Sequence, residues 1–487
     1  MRFLEGLQPE KVFYFFEEIC SIPHGSGNTR QISNYLADFA KERNLEHYQD
    51  RLGNVIMIKE ATKGYENRPA VMIQGHMDMV AVKKPENPID MEKEGLHLCV
   101  SGDKIYARGT SLGGDDGIAV AYGLALLDGD TYRHPRLELV ITVDEEVGMD
   151  GAREIDLSCC RATTMINVDS EEEGIFLAGC AGGARVNYSL SYHETKQTGL
   201  GCRIRIWGLT GGHSGMEIHK ERGNANCLLG RVLNRLYDKH PFFLVSMEGG
   251  FADNAIPREA YAELLFADSA DTDEDKKLIL QFTSDIQAEL RAELAGKDAD
   301  ICVSVDFFDM KSKEAADRQI TEKLLTFLTL IPNGVQAMSG TMDGLVETSL
   351  NPGILDCREG KLHIGISVRS SYESAKKALI DRLKALGALV EAETEVTGDY
   401  PGWAYSPHSP LRHKMIALYK EMYGTEPEIQ AIHAGLECGL FAGKIPGLDC
   451  VSMGPDMKNI HTTEEELSIA SAKRVWEFLI RLLEEMK

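Results

Sequence analysis

The sequence predicts an α/β domain with a mostly parallel central sheet flanked by helices, interrupted by an inserted α+β domain. Three observations support this fold class. In the first third of the chain, short apolar runs alternate with helix-like stretches. Near residue 185 the pattern changes to strands in which apolar and polar residues alternate. After about residue 400 the pattern of the first third returns. The predicted division is therefore 1–184 and 401–487 for one domain and 185–400 for the insertion.

The first third predicts one amphipathic helix, several buried strands and a second helix. Val12, Phe15, Phe16 and Ile19 follow the i, i+3, i+4, i+7 spacing of a helix face. The runs NVIMI, PAVMIQG, LELVITV and TTMINV are continuously apolar, as in strands that are covered on both faces. Between two of them, GIAVAYGLALL predicts a helix that begins just after a Gly/Asp cluster.

The inserted region and the last part of the chain have their own elements. In the insertion, strands such as YSLSYH, GCRIRIWGL and KLHIGISVRSS are separated by amphipathic stretches such as NANCLLGRVLNRLY. After residue 400, DCVSMG predicts a strand. The last helix is predicted to have its N-cap at Thr462 or Thr463, because each is followed by Glu three residues later. Its apolar stripe is formed by Val475, Phe478, Leu479 and Leu482.

Composition and charge exclude several classes of function. The chain has 487 residues, with 52 basic and 76 acidic side chains and a net charge of −24, which would repel the phosphates of a nucleic acid. No apolar run is long enough to span a bilayer, and the N-terminus lacks the features of a signal peptide. The eleven cysteines contain no CxxC pair and are expected as small buried residues. We therefore expect a cytoplasmic protein without a nucleic-acid or membrane partner.

Polar residues recur where the predicted apolar strands end. In an open α/β sheet, ligands bind outside the carboxyl ends of the strands. Each residue alone has an ordinary explanation as a helix cap, a surface charge or a hydrogen-bonded histidine, but their repetition at strand ends favours a site. The residues are His76 and Asp78 after PAVMIQG, Asp144, Glu145 and Glu146 after LELVITV, Asp169 after TTMINV, His461 after DCVSMG, and Asp115 and Asp116 in the loop GGDDG.

These residue types suit a pair of zinc ions, with cobalt or manganese as possible substitutes. Two such ions, about 3.5–4 Å apart, can share and activate a water molecule. The spacing His76-x-Asp78 places the carboxylate on the side of the imidazole, where it can accept the ring N–H. Adjacent Glu145 and Glu146 point in different directions, so one can bind metal while Glu145 acts as the general base. Asp115 could bridge the two ions with its two oxygens.

Five segments resemble the signature blocks of the co-catalytic zinc exopeptidases, and most closely the branch that cleaves aminoacyl-histidine dipeptides. They are GHMDMV, GTSLGGDDGIAVA, VDEEVGMDGA, NVDSEEEG and NIHTTEE, and the resemblance covers nearly the whole chain. It implies a cis peptide between Asp115 and Asp116. It also implies one zinc ion on His76 and Asp169, another on Glu146 and His461, Asp115 as the bridge, Asp78 as the residue that orients His76, and Glu145 as the base.

The same resemblance makes the insertion a lid domain that binds the peptide substrate. A guanidinium can hold a carboxylate with two hydrogen bonds, which suits the substrate's carboxyl end. A homodimer formed through the lid is also expected. The implied residues are His213 for the oxyanion, Asn254 and Arg369 for the substrate carboxylate, and His433, Gly435 and Glu437 in the block HAGLECGLF that lines the specificity pocket.

Two other functions use the same residues. An N-acyl amino acid deacylase would hydrolyse a different amide bond with the same metals and base. A metal-binding or scaffold protein without activity should have lost catalytic positions, yet every one is present. The lid and the HAGLECGLF block match the dipeptidases more closely, so hydrolysis of Xaa-His and carnosine-type dipeptides is the predicted activity.

Overall fold

The computed structural model of this chain describes residues 2–267 and 272–487. The chain divides into two compact units. Unit 1 comprises Met1–Gly179, Tyr405–Ala431 and Leu436–Lys487, and unit 2 comprises Cys180–Ala404 and Ile432–Gly435. The domain boundaries predicted after residues 184 and 400 stay predictions. No helix in the described ranges combines the length and the apolar character that crossing a membrane requires.

The helices of the described residues account for both predicted helices of the first third and for the amphipathic stretches of the insertion. They are α1 (Glu10–Cys20), α2 (Arg30–Glu42), α3 (Gly114–Leu127), α4 (Asp150–Glu154), α5 (Ala225–Lys239), α6 (Thr272–Glu293), α7 (Arg318–Leu330), α8 (Glu373–Leu389), α9 (Pro410–Tyr423), α10 (Glu437–Lys444) and α11 (Ile469–Glu485).

The strands of the described residues include each run that the sequence predicted as a strand. They are β1 (Glu46–Gln49), β2 (Val55–Lys59), β3 (Val71–His76), β4 (Leu98–Ser101), β5 (Lys104–Ala107), β6 (Leu137–Thr142), β7 (Thr164–Asn167), β8 (Ile175–Cys180), β9 (Gly182–Ser191), β10 (Glu194–Trp207), β11 (Gly212–His213), β12 (Phe243–Gly249), β13 (Ala255–Ile256), β14 (Ala260–Phe266), β15 (Cys302–Ala316), β16 (Gly334–Met338), β17 (Val346–Arg358), β18 (Lys361–Ser370), β19 (Glu393–Tyr400), β20 (Glu428–Ile432), β21 (Asp449–Ser452), β22 (Met457–Lys458) and β23 (Glu466–Ser468).

Unit 1 is built on an eight-stranded sheet in the order β1-β2-β6-β3-β7-β21-β8-β20. Its central strands β6, β3, β7 and β21 are parallel, whereas β1, β2 and β8 join antiparallel. Every residue of β3 and β6 is buried, which explains their continuous apolar sequence. The predicted α/β class is confirmed, and the parallel centre brings the carboxyl ends of four strands to one edge.

Helices cover this sheet through apolar side chains. In α1 the predicted stripe of Val12, Phe15, Phe16 and Ile19 is buried. All residues of α3 are buried, in keeping with a helix that is apolar on every side. In α11, Trp476 stacks on Tyr122 of α3 with ring centroids 5.6 Å apart, so the two helices share one core.

The predicted start of the last helix is wrong. Helix α11 begins at Ile469, and Ser468 is its N-cap, with a side chain that accepts a hydrogen bond from the N–H of Ser471. Thr462 and Thr463 precede a short strand, β23, which pairs with β5. Because β23 keeps the backbone extended through Ser468, the helix cannot begin before that residue.

Unit 2 contains a nine-stranded sheet with the main order β14-β10-β15-β12-β17-β18-β9-β19, in which β16 pairs with β17. Its neighbouring strands are paired antiparallel. Apolar residues of α5, α6, α7 and α8 join those of the strands in one core. The α+β character predicted for the insertion is thus confirmed.

Candidate metal centre

The carboxyl edge of the parallel strands in unit 1 carries the predicted ligands. His76 is the last residue of β3, and it is paired with Thr142, the last residue of β6. Asp169 follows β7 by two residues, and His461 lies in the loop between β22 and β23. Because β3 is parallel to β6 and β7 and in register with both, His76 and Asp169 project from the same edge of the sheet, although they are far apart in the sequence.

Five predicted ligands converge at this edge, with Asp115 at their centre. Asp115 Oδ1 lies 3.2 Å from His76 Nε2, and Asp115 Oδ2 lies 3.2 Å from His461 Nε2. Asp169 Oδ1 is 3.6 Å from His76 Nε2 on one side. On the other side, Glu146 Oε1 is 2.7 Å from His461 Nε2. The two carboxylate oxygens of Asp115 therefore face two separate histidine–carboxylate pairs.

The tautomer of His76 follows from its second ring nitrogen. His76 Nδ1 lies 2.9 Å from the backbone carbonyl of Asp78, so an N–H at Nδ1 donates to that oxygen and leaves a lone pair on Nε2. The sequence predicted the Asp78 carboxylate as the acceptor, but its oxygen lies farther away, at 3.5 Å. The carboxylate accepts hydrogen bonds from Ser26 Oγ and from the N–H groups of Glu145 and Glu146. Asp78 therefore orients the Glu145–Glu146 turn as well as the imidazole.

Glu145 stands beside the ligand cluster. A carboxylate oxygen from each of Glu145 and Glu146 lies within 4.8 Å of a ring nitrogen of His76. Burial, opposed by His76 and reinforced by Asp169, raises the pKa of Glu145 well above its ordinary value. Its environment is therefore one in which a carboxylate readily takes up a proton.

Asp116 is a buried part of the centre to which the sequence analysis gave no role. The peptide bond between Asp115 and Asp116 is cis, as the family resemblance implied. Asp116 is fully buried, and its Oδ2 accepts a hydrogen bond from the N–H of His76 at 3.2 Å. A Cβ at Gly75 would lie 2.4 Å from this same oxygen. A glycine is thus needed at position 75 for the approach of α3 to β3.

The electrostatics of the cluster fit divalent cations. Burial, opposed by His76, raises the pKa of Asp169 to about 6, and the contacts with Asp115 and Glu146 raise the pKa of His461 to about 10. Glu146 Oε1 is buried, yet no described group donates a well-directed hydrogen bond to it. Without a metal ion, the carboxylates of this cluster depend on the two imidazole rings for compensating positive charge. Imidazole nitrogens and carboxylate oxygens are the donors that zinc and similar ions accept.

A buried polar network lies beneath the ligands. Glu437, the first residue of α10, is fully buried and accepts hydrogen bonds from Gln74 Nε2 at 2.5 Å and Thr142 Oγ1 at 2.6 Å. Asn167 Nδ2 donates to Gln74 Oε1 at 2.6 Å. Glu437 is therefore enclosed by the ends of β3 and β6, and it does not line an open pocket as the family resemblance implied.

Three of the residues predicted to bind substrate meet in unit 2. A Cβ at Gly215 would lie 3.0 Å from His213 Cε1, 3.2 Å from Arg369 Nε and 2.5 Å from the carbonyl oxygen of His433. Asn254 has an exposed side chain, and its backbone carbonyl accepts from the N–H of Ser214 at 2.8 Å. Gly435 follows His433 by two residues and belongs to the same unit.

The two histidines of this cluster are neutral. His213 Nδ1 accepts the N–H groups of Gly215 and Met216, which leaves an N–H at Nε2 free to donate. Burial and the charge of Arg369 lower the pKa of His213. The same two causes lower the pKa of His433 to about 3. Arg369 Nη1 donates to the hydroxyl of Tyr400 at 3.3 Å, and its buried Nε has no partner among the described residues.

Comparisons with known proteins give concordant results. Residues 72–485 match the sequence profile described as peptidase family M20/M25/M40. The cytosol non-specific dipeptidase of Escherichia coli (strain K12) is 37% identical over 488 residues, with 99% of each chain covered. The crystal structure of aminoacylhistidine dipeptidase from Vibrio alginolyticus matches with a TM-score of 0.91 and 34% identity, over 99% of this chain and 98% of that one. An aminopeptidase from Bacillus cereus shares the fold, with a TM-score of 0.56, 16% identity and 99% of each chain covered.

Proposed function

Since the chain belongs to peptidase family M20/M25/M40 and is a metallopeptidase with dipeptidase relatives, we propose that it hydrolyses dipeptides, preferentially those with C-terminal histidine, by means of two zinc ions. One observation carries this proposal above the others. Each oxygen of Asp115 lies 3.2 Å from a different histidine nitrogen, one on His76 and one on His461. Such an arrangement suits two cations that share one carboxylate.

The residues divide into two ligand sets around Asp115. His76 and Asp169, which lie 3.6 Å apart, would hold one cation, and Glu146 and His461, which lie 2.7 Å apart, would hold the other. When bound, two such cations lower the pKa of a shared water and polarise the carbonyl of the substrate. Cobalt or manganese would satisfy the same nitrogen and oxygen donors.

Proton transfer falls to Glu145. Its carboxylate takes a proton from the attacking water as the new C–O bond forms, and it delivers that proton to the amine nitrogen as the C–N bond breaks. Asp78 supports this role, because its carboxylate accepts the backbone N–H of Glu145 at 3.1 Å and so fixes the turn. A buried, easily protonated carboxylate suits both halves of the transfer.

Substrate recognition is assigned to unit 2. The Nε2–H of His213 is suited to donate to the oxyanion. Two backbone N–H groups donate to Nδ1, so the proton of the ring is kept on Nε2. We assign Arg369 and Asn254 to the carboxylate of the substrate, and Gly435 to the pocket for its C-terminal side chain. The choice of histidine as that side chain is supported by the name of the Vibrio relative.

A deacylase of N-acyl amino acids is the alternative reaction on this fold. It is not favoured, because two relatives that match over almost the full length are both called dipeptidases. Carnosine, Gly-His, a dipeptide without histidine and an N-acetyl amino acid, assayed side by side, would separate the two reactions. Faster hydrolysis of the acetylated compound would reject the dipeptidase proposal.

Glu145→Gln tests the mechanism. The variant should bind as much zinc as the wild type and lose kcat by about 10²- to 10⁴-fold, the usual contribution of a general base. Glu172→Gln, which alters an exposed glutamate of the same unit, is the matched control. Zinc content comes from metal analysis after dialysis, and activity should vanish with a chelator and return with zinc. If the Glu145→Gln variant keeps a near-normal kcat, Glu145 is not the general base.

We also propose a homodimer formed through residues 185–400 and a cytosolic location, the latter supported by the name of the Escherichia coli relative. Sedimentation equilibrium of the full chain, compared with a form that lacks 185–400, would test the dimer. A monomer at micromolar concentration would reject it.

A further inference from the structure

A carboxylate near the end of the chain caps the loop that precedes Asp115. Glu465 is only 3% exposed, and its two oxygens accept the backbone N–H groups of Leu112 at 2.8 Å, Gly113 at 3.2 Å and Gly114 at 2.8 Å. The backbone of Asp115 and Asp116 is non-helical, so the regular part of α3 begins after Asp116 and these N–H groups lie ahead of it, with no acceptor within the helix.

The packing around the loop leaves little space for another arrangement. Gly113 has a φ of +68°, and a Cβ there would lie 2.8 Å from Met79 Sδ. A Cβ at Gly114 would lie 3.2 Å from Met457 Sδ and 3.4 Å from Glu465 Oε1. Because the two glycines have no side chain, the backbone can come close enough to the carboxylate of Glu465 for their N–H groups to donate to it.

Glu465 joins two segments that each carry a proposed ligand. On one side, Asp115 directly follows Gly114. On the other, His461 precedes Glu465 by four residues, and the intervening turn is closed by the N–H of Glu465, which donates to the carbonyl of Thr462 at 3.3 Å. One buried side chain thus connects ligands that are 346 positions apart in the sequence.

We propose that Glu465 is a positioning residue that fixes Asp115 relative to His461, and that it sets the affinity of one cation site more than that of the other. This inference rests on the proposed two-cation function. The site formed by Asp115, Glu146 and His461 draws two of its three residues from the segments that Glu465 joins. The site of His76 and Asp169 shares only Asp115 with them.

Glu465→Gln is the sharpest substitution. Both oxygens of Glu465 accept hydrogen bonds from the loop, so an amide nitrogen in place of one oxygen would face an N–H donor. Glu464→Gln is the matched control, because Glu464 is a neighbouring glutamate with a side chain that is 65% exposed and contacts Lys84 instead. Glu465→Asp retains the charge on a shorter side chain and gives a second, milder variant.

Zinc titration of the chelator-treated full-length proteins by calorimetry tests the proposal, together with hydrogen exchange of the amides at 112–114. Wild type and Glu464→Gln should bind two zinc ions. Glu465→Gln should retain one with little change and bind the other about 10- to 100-fold more weakly, the usual effect of losing a residue that supports a ligand. Its amides at 112–114 should exchange faster.

Two different failures can be told apart. If the wild type binds fewer than two zinc ions, the proposed two-cation function is refuted. If the wild type binds two and Glu465→Gln binds both equally tightly, only the role of Glu465 is refuted. Should Glu465→Gln fail to fold, as judged by circular dichroism, Glu465→Asp decides the question by the same titration, with unequal weakening expected and unchanged affinities as the contrary result.

Discussion

Glu437→Gln should make the stability of the metal-free protein less dependent on pH. Glu437 Oε2 accepts hydrogen bonds from Gln74 and Thr142, whereas Oε1 is buried without a partner among the described residues. Burial, opposed by His76 and by the Thr142 hydroxyl, raises the pKa of Glu437 from 4.5 to about 8. The folded protein therefore holds this carboxyl in its neutral form at neutral pH.

The size of the effect follows from proton linkage. The unfolded chain releases the proton of Glu437 near pH 4.5, whereas the folded chain keeps it until about pH 8. The contribution of Glu437 to stability is therefore fully present below pH 4.5 and is lost as the pH rises through about 8. Within that window the free energy of unfolding falls by about 1.4 kcal/mol per pH unit. Gln cannot ionise, so the free energy of unfolding of the wild type should fall by about 3 kcal/mol relative to that of the variant from about pH 5.5 to about pH 7.5.

Urea unfolding of the chelated proteins measures this difference. Trp207 and Trp403 lie in unit 2, whereas Trp476 lies in unit 1. In proteins that also carry Trp207→Phe and Trp403→Phe, tryptophan fluorescence therefore reports the unfolding of the unit that contains Glu437. Glu172→Gln, at an exposed position in the same unit, should show no such trend. A pH-independent difference between wild type and Glu437→Gln would mean that Glu437 is already ionised in the folded protein, and the reasoning from burial would fail.

Three further substitutions probe the centre and its surroundings. Asp115→Asn should release at least one zinc ion per chain, because a neutral amide offers one good acceptor oxygen; full zinc content after dialysis would contradict a bridging role. Tyr400→Phe should raise KM several-fold for dipeptides but not for dipeptide amides, because it removes the hydroxyl that accepts a charge-assisted hydrogen bond from Arg369 at 3.3 Å. An equal change in KM for dipeptides and dipeptide amides would show that Tyr400 does not support the binding of the substrate carboxylate. Gly75→Ala should destabilise unit 1 by about 1–3 kcal/mol in urea unfolding, because its Cβ would lie 2.4 Å from Asp116 Oδ2. An unchanged unfolding midpoint would show that α3 can move away at no cost.

The convergence of the five proposed ligands could be predicted from local patterns. His76 and Asp169 each follow a run of buried residues so closely that a parallel sheet leaves them only one edge to share. The continuous apolar character of these runs indicates burial on both faces, and burial on both faces is typical of parallel strands. These proposed ligands can be predicted because each polar residue directly follows the apolar strand that positions it in the sheet.

The supporting shell could not be predicted in this way, because its partners are distant in sequence. Glu437 meets Gln74 across 363 positions, and Glu465 meets Leu112 across 353. Around Thr462 the local pattern even suggested a different role for Glu465, as part of a helix cap. The pairing of β23 with β5 overrides that pattern, since it keeps the chain extended where the helix would start.

Three consecutive glutamates show why residue type alone does not reveal such roles. Glu464 contacts Lys84 with a 65% exposed side chain, and Glu466 pairs with Lys104, which is itself 55% exposed. Exposed pairs of this kind contribute about 0–1 kcal/mol to stability. Glu465 alone is buried, and its charge is balanced by three backbone N–H groups of a loop that no local pattern connects to it. Removing a buried side chain that accepts three backbone N–H groups leaves those donors without a partner, which is costly, so we expect the loop to shift and to carry Asp115 with it.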